Sequence, residues 1–597
     1  MSEVKKRSEM DPAYMWAMTD LYPDDEAWEK ELGVLEGRIP EYRDYEGKLG
    51  ESAEKLGSFF KFSDEIGKMS ARVYVYANQM LHQDMAEAKY QDYAAKAQSI
   101  CVKISAAQAF FVPELLEIPE EKLDSFIKED KDLQLYERCI RKLLEKKEHS
   151  LSDKEEKILA QTGEMATAAS DIYQMFLNAD ASFGTIRNEE GEEAEVTNGN
   201  YISFMQSQNR EVRKAAFHAV YHTLEAYKNT LGAMFQANVK QEKFYAQVRN
   251  YPSSMEMQLM ENSIPVSVYE NLIAAVHEAL PAMYKYVGLR KKVLGVEELH
   301  MYDVYAPMTK DVDKKIPYEQ AKEMVLEGLA PMGSDYISHL KEGFENRWID
   351  VYENKGKRSG AYSWGAYGTH PYVLLNYQDT FNDVFTLAHE MGHSLHTYYS
   401  EKTQPYIYSG YSIFVAEVAS TCNESLLIRH LLKNCTDKQE KIYLLNYFID
   451  QFKGTMFRQT MFAEFEKIMH EMCVCGETLN AESISRVYFE LNRKYFGEEM
   501  VSDPEIAMEW ARIPHFYTPF YVYQYATGFA AAIALSGRIL ELGEEGVKDY
   551  MKFLTGGSSK DPIDLLRMAG VDMREKEPVK QALSMFEELV DELEKIL

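Results

Sequence analysis

The residues best suited to chemistry lie at positions 389–393, which read His-Glu-Met-Gly-His. In an α-helix, His389 and His393 stand about 40° apart and about 6 Å along the axis, so both imidazoles can reach one ion from the same face. Two imidazoles at this spacing are typical of a zinc site. Glu390 lies one step round the helix, where its carboxylate can take a proton from a water on the metal. We therefore predict one Zn²⁺ per chain, with Glu390 as the general base.

A zinc ion held by two histidines needs a third protein ligand. Metzincins use a histidine six residues after the second one, but Tyr399 stands there, which excludes that class. His396 lies about 10 Å along the helix from His389, so packing or support of a ligand is its expected role. Glu417 is the better candidate, because it is an acid inside the apolar sequence FVAEVA and a buried carboxylate needs a metal or a cation. An ion pair with a basic side chain is the alternative.

Glu424 lies seven residues after Glu417, which is two helical turns further on the same side. From there its carboxylate could accept a hydrogen bond from a ligand imidazole and orient it. An exposed acid on the helix surface is the alternative interpretation.

A second histidine pair, His218 and His222, repeats the four-residue spacing in the sequence KAAFHAVYHTLE. Ala219 stands where a general base would be, and no second acidic helix with a matching anomaly follows. We interpret these two as packing or surface histidines. Cys473 and Cys475 lack partners at zinc-finger spacing and are interpreted as ordinary thiols.

One histidine and four tyrosines lie within residues 515–525, in the sequence HFYTPFYVYQY. Attack on a peptide bond creates an oxyanion, and neutral donors of this kind stabilise it. An aromatic stripe in the core is the alternative interpretation.

The elements that must position these residues are mostly helical. Residues 185–200 predict a hairpin or loop, and 355–380 predict a strand pair directly before the zinc helix. We predict a mainly α fold with a small β-sheet beside the active-site helix, and two regions, an N-terminal helical region at 1–198 and a catalytic domain at 199–597. Apolar residues recur at helical spacing over 65–110, 118–148, 152–178, 200–250, 265–295 and from 382 onward.

Composition limits the classes of partner. The 597 residues include 96 acidic and 66 basic side chains, a net charge of −30, and a surface this negative repels nucleic acid and anionic lipid. We see no signal peptide and no apolar run of about 18 residues, so we predict no membrane span. The six cysteines are typical of reduced thiols, and we predict a cytoplasmic protein.

Several blocks of the chain together resemble the oligoendopeptidase F branch of the thimet-oligopeptidase-like zinc metallopeptidases. The resemblance implies a two-lobed, mainly helical fold with a deep central channel. It also implies zinc-dependent hydrolysis of internal bonds in short unstructured peptides, and it leaves a homo-oligomer open. The blocks are TDLYPDDEAW, VRKAAFHAVY, THPYVLLNY, TLAHEMGHSLH, FVAEVASTCNE and HFYTPFYVYQYATG.

The resemblance also implies roles for single residues. It makes His389, His393 and Glu417 the zinc ligands and Glu390 the base.

In the tyrosine-rich loop, the resemblance makes His515 the active-site loop histidine. Tyr523 matches the tyrosine that binds the transition state. The loop is shorter here than in the thimet branch, so the second tyrosine of the family has no clear match. We favour Tyr517 over Tyr525 for that position.

The β-rich run at 371–377 is expected to bind the substrate backbone by β-augmentation, which tolerates many side chains. His370, Tyr372 and Leu374 are the substrate-binding candidates in this segment.

Two other functional classes remain open. A helical zinc carboxypeptidase or dipeptidase would need a clamp for a terminal charge, and Arg512 is the basic residue near the motifs that could supply one. A non-catalytic peptide-binding protein is the other class, and the intact Glu390 argues against it. Cleavage of an end-blocked peptide separates the exopeptidase from the endopeptidase.

Overall fold

The computed structural model describes residues 4–309 and 314–597. The described residues are mostly helical, as predicted, with seven short strands in three small sheets.

Twenty-six α-helices make up most of the described chain. They are α1 (Asp25–Arg38), α2 (Ala53–Gln83), α3 (Ala88–Ala107), α4 (Phe111–Glu117), α5 (Glu120–Glu129), α6 (Lys131–Leu135), α7 (Glu137–Glu145), α8 (Asp153–Ala166), α9 (Ala168–Met175), α10 (Tyr201–Met205), α11 (Arg210–Ala226), α12 (Lys228–Val248), α13 (Ser254–Met260), α14 (Val266–Leu294), α15 (Tyr318–Gly328), α16 (Gly333–Glu345), α17 (Phe381–Thr403), α18 (Tyr406–Ser409), α19 (Ile413–Asn434), α20 (Lys438–Phe452), α21 (Gln459–Val474), α22 (Ala481–Phe496), α23 (Tyr523–Leu542), α24 (Glu544–Leu554), α25 (Pro562–Met568) and α26 (Glu577–Ile596).

Strands and short helical turns complete the described secondary structure. The strands are β1 (Thr185–Arg187), β2 (Glu193–Glu195), β3 (Leu299–His300), β4 (Ile349–Asp350), β5 (Tyr362–Trp364), β6 (Tyr372–Leu374) and β7 (Met500–Val501). The 3-10 turns are Arg7–Glu9, Pro12–Tyr14, Met18–Asp20, Ile39–Asp44, Lys147–His149, Met301–Asp303, Ala330–Met332, Pro504–Arg512 and Pro514–Tyr517, and the π-helical turns are Phe176–Asp180 and Lys453–Arg458.

The long helices predicted near the N-terminus are broken into shorter ones. The helix predicted at 65–110 is interrupted at Asp84, whose backbone is extended. The helix predicted at 118–148 is divided at Asp130, because its carboxylate accepts the N–H groups of Asp132 and Leu133 and starts a new helix. Helical periodicity survives such breaks, so spacing alone does not reveal them.

Both predicted β segments form antiparallel pairs. Strands β1 and β2 pair through a turn at Gly191, whose φ of 81° favours glycine. Strands β5 and β6 pair antiparallel, and β4 adds to the other edge of β6 in parallel, giving the order β4-β6-β5. The third strand was not predicted, because a two-residue strand carries no periodic signal.

The chain forms two compact units, and both are discontinuous in sequence. The boundary predicted between residues 198 and 199 stays a prediction and falls inside unit 2. Unit 1 comprises Met1–Ser150, Lys314–Leu427 and Leu535–Gly570, and unit 2 comprises Leu151–Asp313, Ile428–Ala534 and Val571–Leu597.

An aromatic core anchors the small sheet of unit 1. Trp28 is fully buried, stacks on Tyr93 at a centroid distance of 4.0 Å, and donates its indole N–H to the carbonyl of Val73. Tyr372 and Leu374 of β6 belong to the same buried cluster. The sheet is therefore held by the core rather than at the surface, which fixes its place against helix α17.

One stretch, Ala88–Glu117, is long and apolar enough to cross a membrane by length and composition alone. The prediction of no membrane span stays a prediction. The structure divides the stretch between α3 and α4, whereas a membrane-spanning helix must satisfy its backbone hydrogen bonds continuously. A single stretch of this kind is weak evidence for a span, because core helices pass the same test.

Candidate functional site

The helix that carries the zinc motif begins with a capping box. Thr380 accepts the N–H of Asp383, and the Asp383 carboxylate accepts the N–H of Thr380 in return. Thr380 is therefore the N-cap residue of α17. The apolar side of α17 is buried, at Val384, Phe385, Leu387, Ala388, Met391 and Leu395.

Helices α17 and α19 bring three predicted ligands together in unit 1. His389 Nε2 lies 3.2 Å from His393 Nε2 and 3.2 Å from Glu417 Oε2, and His393 Nε2 lies 3.4 Å from Glu417 Oε2. A tetrahedral zinc ion with ordinary bond lengths separates its ligand atoms by about 3.3 to 3.5 Å. The donor set and its spacing therefore fit a zinc ion.

Glu417 lies on the face of α19 that is turned toward α17. Its side chain is 43% exposed, so it is half-buried rather than enclosed as the apolar sequence had suggested. The buried face of α19 is formed instead by neighbours such as Val418 and Ala419. Burial raises the pKa of Glu417, but hydrogen bonds from His389 and His393 outweigh burial and leave this pKa well below its usual value.

Glu424 contacts the other nitrogen of the first ligand. His389 Nδ1 donates to Glu424 Oε1 at 2.5 Å, which fixes the ring orientation and turns Nε2 toward His393 and Glu417, where an ion could bind. Asn423 also joins α19 to α17, because its side-chain amide donates to the carbonyl of Ala388. Ser420 donates its hydroxyl to Oε2 of Glu417.

Gly392 explains how closely the two helices can approach. A Cβ at this position would lie 2.6 Å from Ser420 Cα and 2.8 Å from the carbonyl oxygen of Ala419. The backbone of α19 therefore approaches α17 closely at this glycine, and the approach sets the distance between the predicted ligands of α17 and Glu417.

Glu390 is buried beside the triad. The residue is only 6% exposed, and its Oε2 has no hydrogen-bond partner among residues 4–309 and 314–597. Burial raises the pKa of Glu390 above its usual value, partly offset by the charges of His389 and His393. A buried carboxylate oxygen without a partner is the group expected to meet a reacting water.

His396 lies apart from the three ligand atoms. Its ring stacks on Tyr411 at a centroid distance of 3.7 Å and contacts Phe553, and it is almost fully buried. Burial lowers the pKa of His396 to about 3, so this ring is neutral and serves packing.

The substrate-binding role predicted for residues 371–377 is wrong. Strand β6 is the central strand, and both of its edges are already paired with β4 and β5. Tyr372 and Leu374 are 0% exposed, and His370 stacks on Trp348 while its Nε2 lies 3.1 Å from Asp20. No edge of this strand can therefore accept a peptide.

Strand β5 is the outer strand on that side of the sheet in the described chain. Ser363 in β5 hydrogen-bonds Ser394 of α17 at 2.8 Å, so the outer strand is tied directly to the helix that carries the ligands. An added peptide strand would have to pair here.

The tyrosine-rich loop belongs to unit 2, and it gathers some of its predicted residues around His515. Tyr525 Oη lies 3.4 Å from His515 Nε2, and the ring of Tyr521 is parallel to the imidazole at 6.1 Å. Burial lowers the pKa of His515, which keeps the ring neutral.

The other two tyrosines of this loop pack elsewhere. Tyr517 stacks on Tyr173 at 4.3 Å, and Tyr523 is 2% exposed with its ring 5.1 Å from Tyr269. The contacts favour Tyr525 over Tyr517 as the partner of His515, opposite to the preference drawn from the sequence. Loop length alone could not decide between them.

Glu466 of α21 is a residue that the sequence analysis missed. Phe520 donates its N–H to Glu466 Oε1 at 2.8 Å and has a φ of 52°, a left-handed conformation that is uncommon for phenylalanine. Glu466 is an acid within an apolar helix, the same signal that singled out Glu417, so the signal was present in the sequence.

Arg512 does not offer a free clamp for a terminal charge. Its guanidinium lies over the ring of Tyr201 at 4.9 Å. Burial lowers the pKa of Arg512, but the electrostatic interactions with Tyr221, Tyr201 and Glu509 outweigh burial and leave this pKa above its usual value. The structure gives no support to the exopeptidase alternative at this residue.

Family profiles and curated relatives both match this chain to peptidases. The profile of Peptidase family M3 matches residues 203–585, and the Oligopeptidase F profile matches residues 114–183. The chain is 48% identical to "Oligopeptidase PepF" of Bacillus subtilis, over 100% of this chain and 90% of that protein. It is 43% identical to "Oligoendopeptidase F homolog" of Lactococcus lactis subsp. lactis, over 99% of each.

Solved structures show the same relationship. The crystal structure of oligoendopeptidase-F from Enterococcus faecium matches with a TM-score of 0.74 and 36% identity, over 96% of this chain and 99% of that one. A peptidase candidate from Chlamydophila abortus matches with a TM-score of 0.94 and 34% identity, over 100% of both chains.

Proposed function

Because this chain belongs to peptidase family M3, in its oligopeptidase F branch, it is an oligopeptide-cleaving metalloendopeptidase, and we propose that it uses Zn²⁺ and Glu390 to hydrolyse internal bonds of short unstructured peptides. The observation that carries the proposal is the triangle of ligand atoms from His389, His393 and Glu417, with sides of 3.2 to 3.4 Å.

Each ligand residue has a defined task in this proposal. His389 and His393 present Nε2, Glu417 presents Oε2, and Glu424 holds His389 through Nδ1. Three protein ligands leave a fourth position for water or substrate, as in catalytic zinc sites. When bound, zinc lowers the pKa of a coordinated water and polarises the scissile carbonyl.

Glu390 moves the proton in this proposal. Its unpartnered Oε2 takes a proton from the attacking water and later gives it to the leaving amine. The raised pKa of Glu390 suits this double role, since the carboxyl must hold the proton between the two steps.

We assign oxyanion stabilisation to neutral donors of the loop 515–525. His515 and Tyr525 are the preferred pair because their side chains meet and His515 is neutral. Tyr523 keeps the role implied by the family resemblance as a prediction only, since its ring packs on Tyr269.

The partners proposed are short peptides, in keeping with the names of the relatives. The six cysteines form no disulfide bond with one another within the described residues, and we propose the cytoplasm.

Removal and return of the metal tests the proposal. Chelation should abolish peptide cleavage, and one tightly held Zn²⁺ per chain should restore it, as measured by elemental analysis and activity on the same samples. Full activity in protein that contains no zinc would contradict it.

A further inference from the structure

We propose that the chain holds a second divalent-metal site, selective for Zn²⁺-like ions, formed by His218 and His222 of α11 and Glu505 of the 3-10 turn Pro504–Arg512. Their ligand atoms all lie within 4.8 Å of one another. The sequence had suggested surface or packing histidines. Glu505 lies almost three hundred residues away from them, and only the fold brings it close.

The distances suit a shared ion. Glu505 Oε1 lies 3.1 Å from His218 Nδ1 and 3.9 Å from His222 Nε2. These values lie on either side of the spacing of about 3.3 to 3.5 Å expected for two ligands of one tetrahedral zinc ion. The His222 side chain is 68% exposed, so it has room to rotate toward the shared position.

The direction of the contact supports a metal rather than a simple ion pair. His218 Nδ1 is buried and forms no hydrogen bond of acceptable geometry within the described residues, despite its 3.1 Å distance from Glu505. Two ligands of one ion point at the ion and not at each other. Two ligand atoms that lie close together without a hydrogen bond between them are expected where both bind one cation.

The donor types define the ion. Two imidazoles and one carboxylate favour zinc and its neighbours, whereas calcium and magnesium prefer oxygen ligands alone. His222 is largely exposed, so the remaining positions are open to water. We expect weaker binding than at the triad of α17 and α19, where all three ligands are partly buried.

The site has a structural rather than a catalytic character. Ala219 follows His218, so the carboxylate that stands beside the first ligand in α17 has no counterpart here. A bound ion would tie α11 to the turn Pro504–Arg512, and that turn leads directly into Pro514–Tyr517, which carries His515. Zinc at this site would therefore stiffen the start of the tyrosine-rich loop.

Zinc titration of the metal-free full-length protein tests the proposal. We expect two equivalents, one tight and one weaker, by elemental analysis after equilibrium dialysis against excess Zn²⁺. His222→Ala and Glu505→Gln should each raise the dissociation constant of the weaker equivalent about 100-fold or more, because a direct ligand matters more than a supporting one. The tight equivalent should remain in both variants.

Glu211→Gln is the matched control, because Glu211 is an exposed acid on the same helix and lies seven residues before His218. It should keep both equivalents. A Glu417→Gln variant should lose the tight equivalent and keep the weaker one, which separates this proposal from the catalytic one. Saturation at one equivalent in the wild type, or two equivalents in both His222→Ala and Glu505→Gln, would overturn the second site.

Discussion

Two glutamates of α19 contact the same imidazole and are expected to act differently. Glu417 contacts Nε2 of both His389 and His393, whereas Glu424 contacts only Nδ1 of His389. Glu424→Gln should weaken the tight zinc equivalent by about 10- to 100-fold, as supporting partners of ligands generally do.

Glu417→Gln removes a direct ligand, so its loss of zinc affinity should exceed that of Glu424→Gln. Competition with a chromophoric chelator measures both variants on the same scale. Equal losses, or a larger loss in Glu424→Gln, would remove Glu417 from the ligand set.

The contacts of the tyrosines lead to a second prediction at this scale. Tyr525→Phe should lower kcat about 10- to 100-fold with little change in KM, because a donor to the oxyanion acts mainly in the transition state. Tyr517→Phe should keep nearly normal kcat, since the Tyr517 ring stacks on Tyr173 and phenylalanine keeps that ring. Steady-state kinetics on one peptide compares them.

Tyr523→Phe in the same assay tests the role implied by the family resemblance. A kcat loss in Tyr517→Phe or Tyr523→Phe with none in Tyr525→Phe would return the assignment to the one drawn from the sequence.

At the scale of elements, α21 holds the tyrosine-rich loop through a buried carboxyl. Burial raises the pKa of Glu466 to about 8, against an ordinary value of 4.5, while its Oε1 accepts the N–H of Phe520. The folded state favours the protonated form, so this group's contribution to stability is complete below about pH 4.5 and is lost as the pH rises toward 8.

Glu466→Gln keeps an acceptor for Phe520 but cannot ionise. Its stability relative to the wild type should therefore rise between about pH 5 and about pH 8, by up to a few kcal/mol. Urea unfolding at several pH values measures the difference.

Glu464 in the same helix is the control. Burial raises its pKa, but hydrogen bonds from His277, Lys494 and Tyr495 outweigh burial and lower it to about 2. Glu464→Gln should destabilise most at neutral pH and least in acid, the opposite trend. A flat difference for Glu466→Gln would show that Glu466 ionises freely in the folded protein.

The sequence predicted those elements whose signal is local. Helix α17 was expected because apolar spacing and the HExxH motif agree, and the pair β5–β6 was expected from aromatic and β-branched residues around Gly365 and Gly368. Alternating side chains cannot show whether a strand is central or outer, so β6 was wrongly given to the substrate. Only the parallel pairing with β4, twenty-three residues earlier, makes it central.

Tertiary contacts account for the remaining differences at the site. Glu505 is remote in sequence from His218, and Tyr525 was distinguished from Tyr517 by the side chains they pack against. Neither relationship has a periodic or motif-based signal.

At the scale of the whole molecule, both compact units are assembled from three segments of chain. A composition shift along the sequence can mark a linker but cannot show that later segments return to an earlier unit. The oligopeptidase F profile at 114–183 and the family M3 profile at 203–585 each cross boundaries between the units, so neither profile coincides with one unit.

The most direct test of the central claim, a metalloendopeptidase with Glu390 as its base, is digestion of a short peptide blocked at both ends. The zinc-loaded wild type and zinc-loaded Glu390→Gln are compared by mass spectrometry of products, with metal content measured on the same samples. We predict internal cleavage by the wild type and a rate about 10²- to 10⁴-fold lower in Glu390→Gln at equal zinc content. Near-equal rates at equal zinc content, or no cleavage of the blocked peptide by the wild type, would contradict the account.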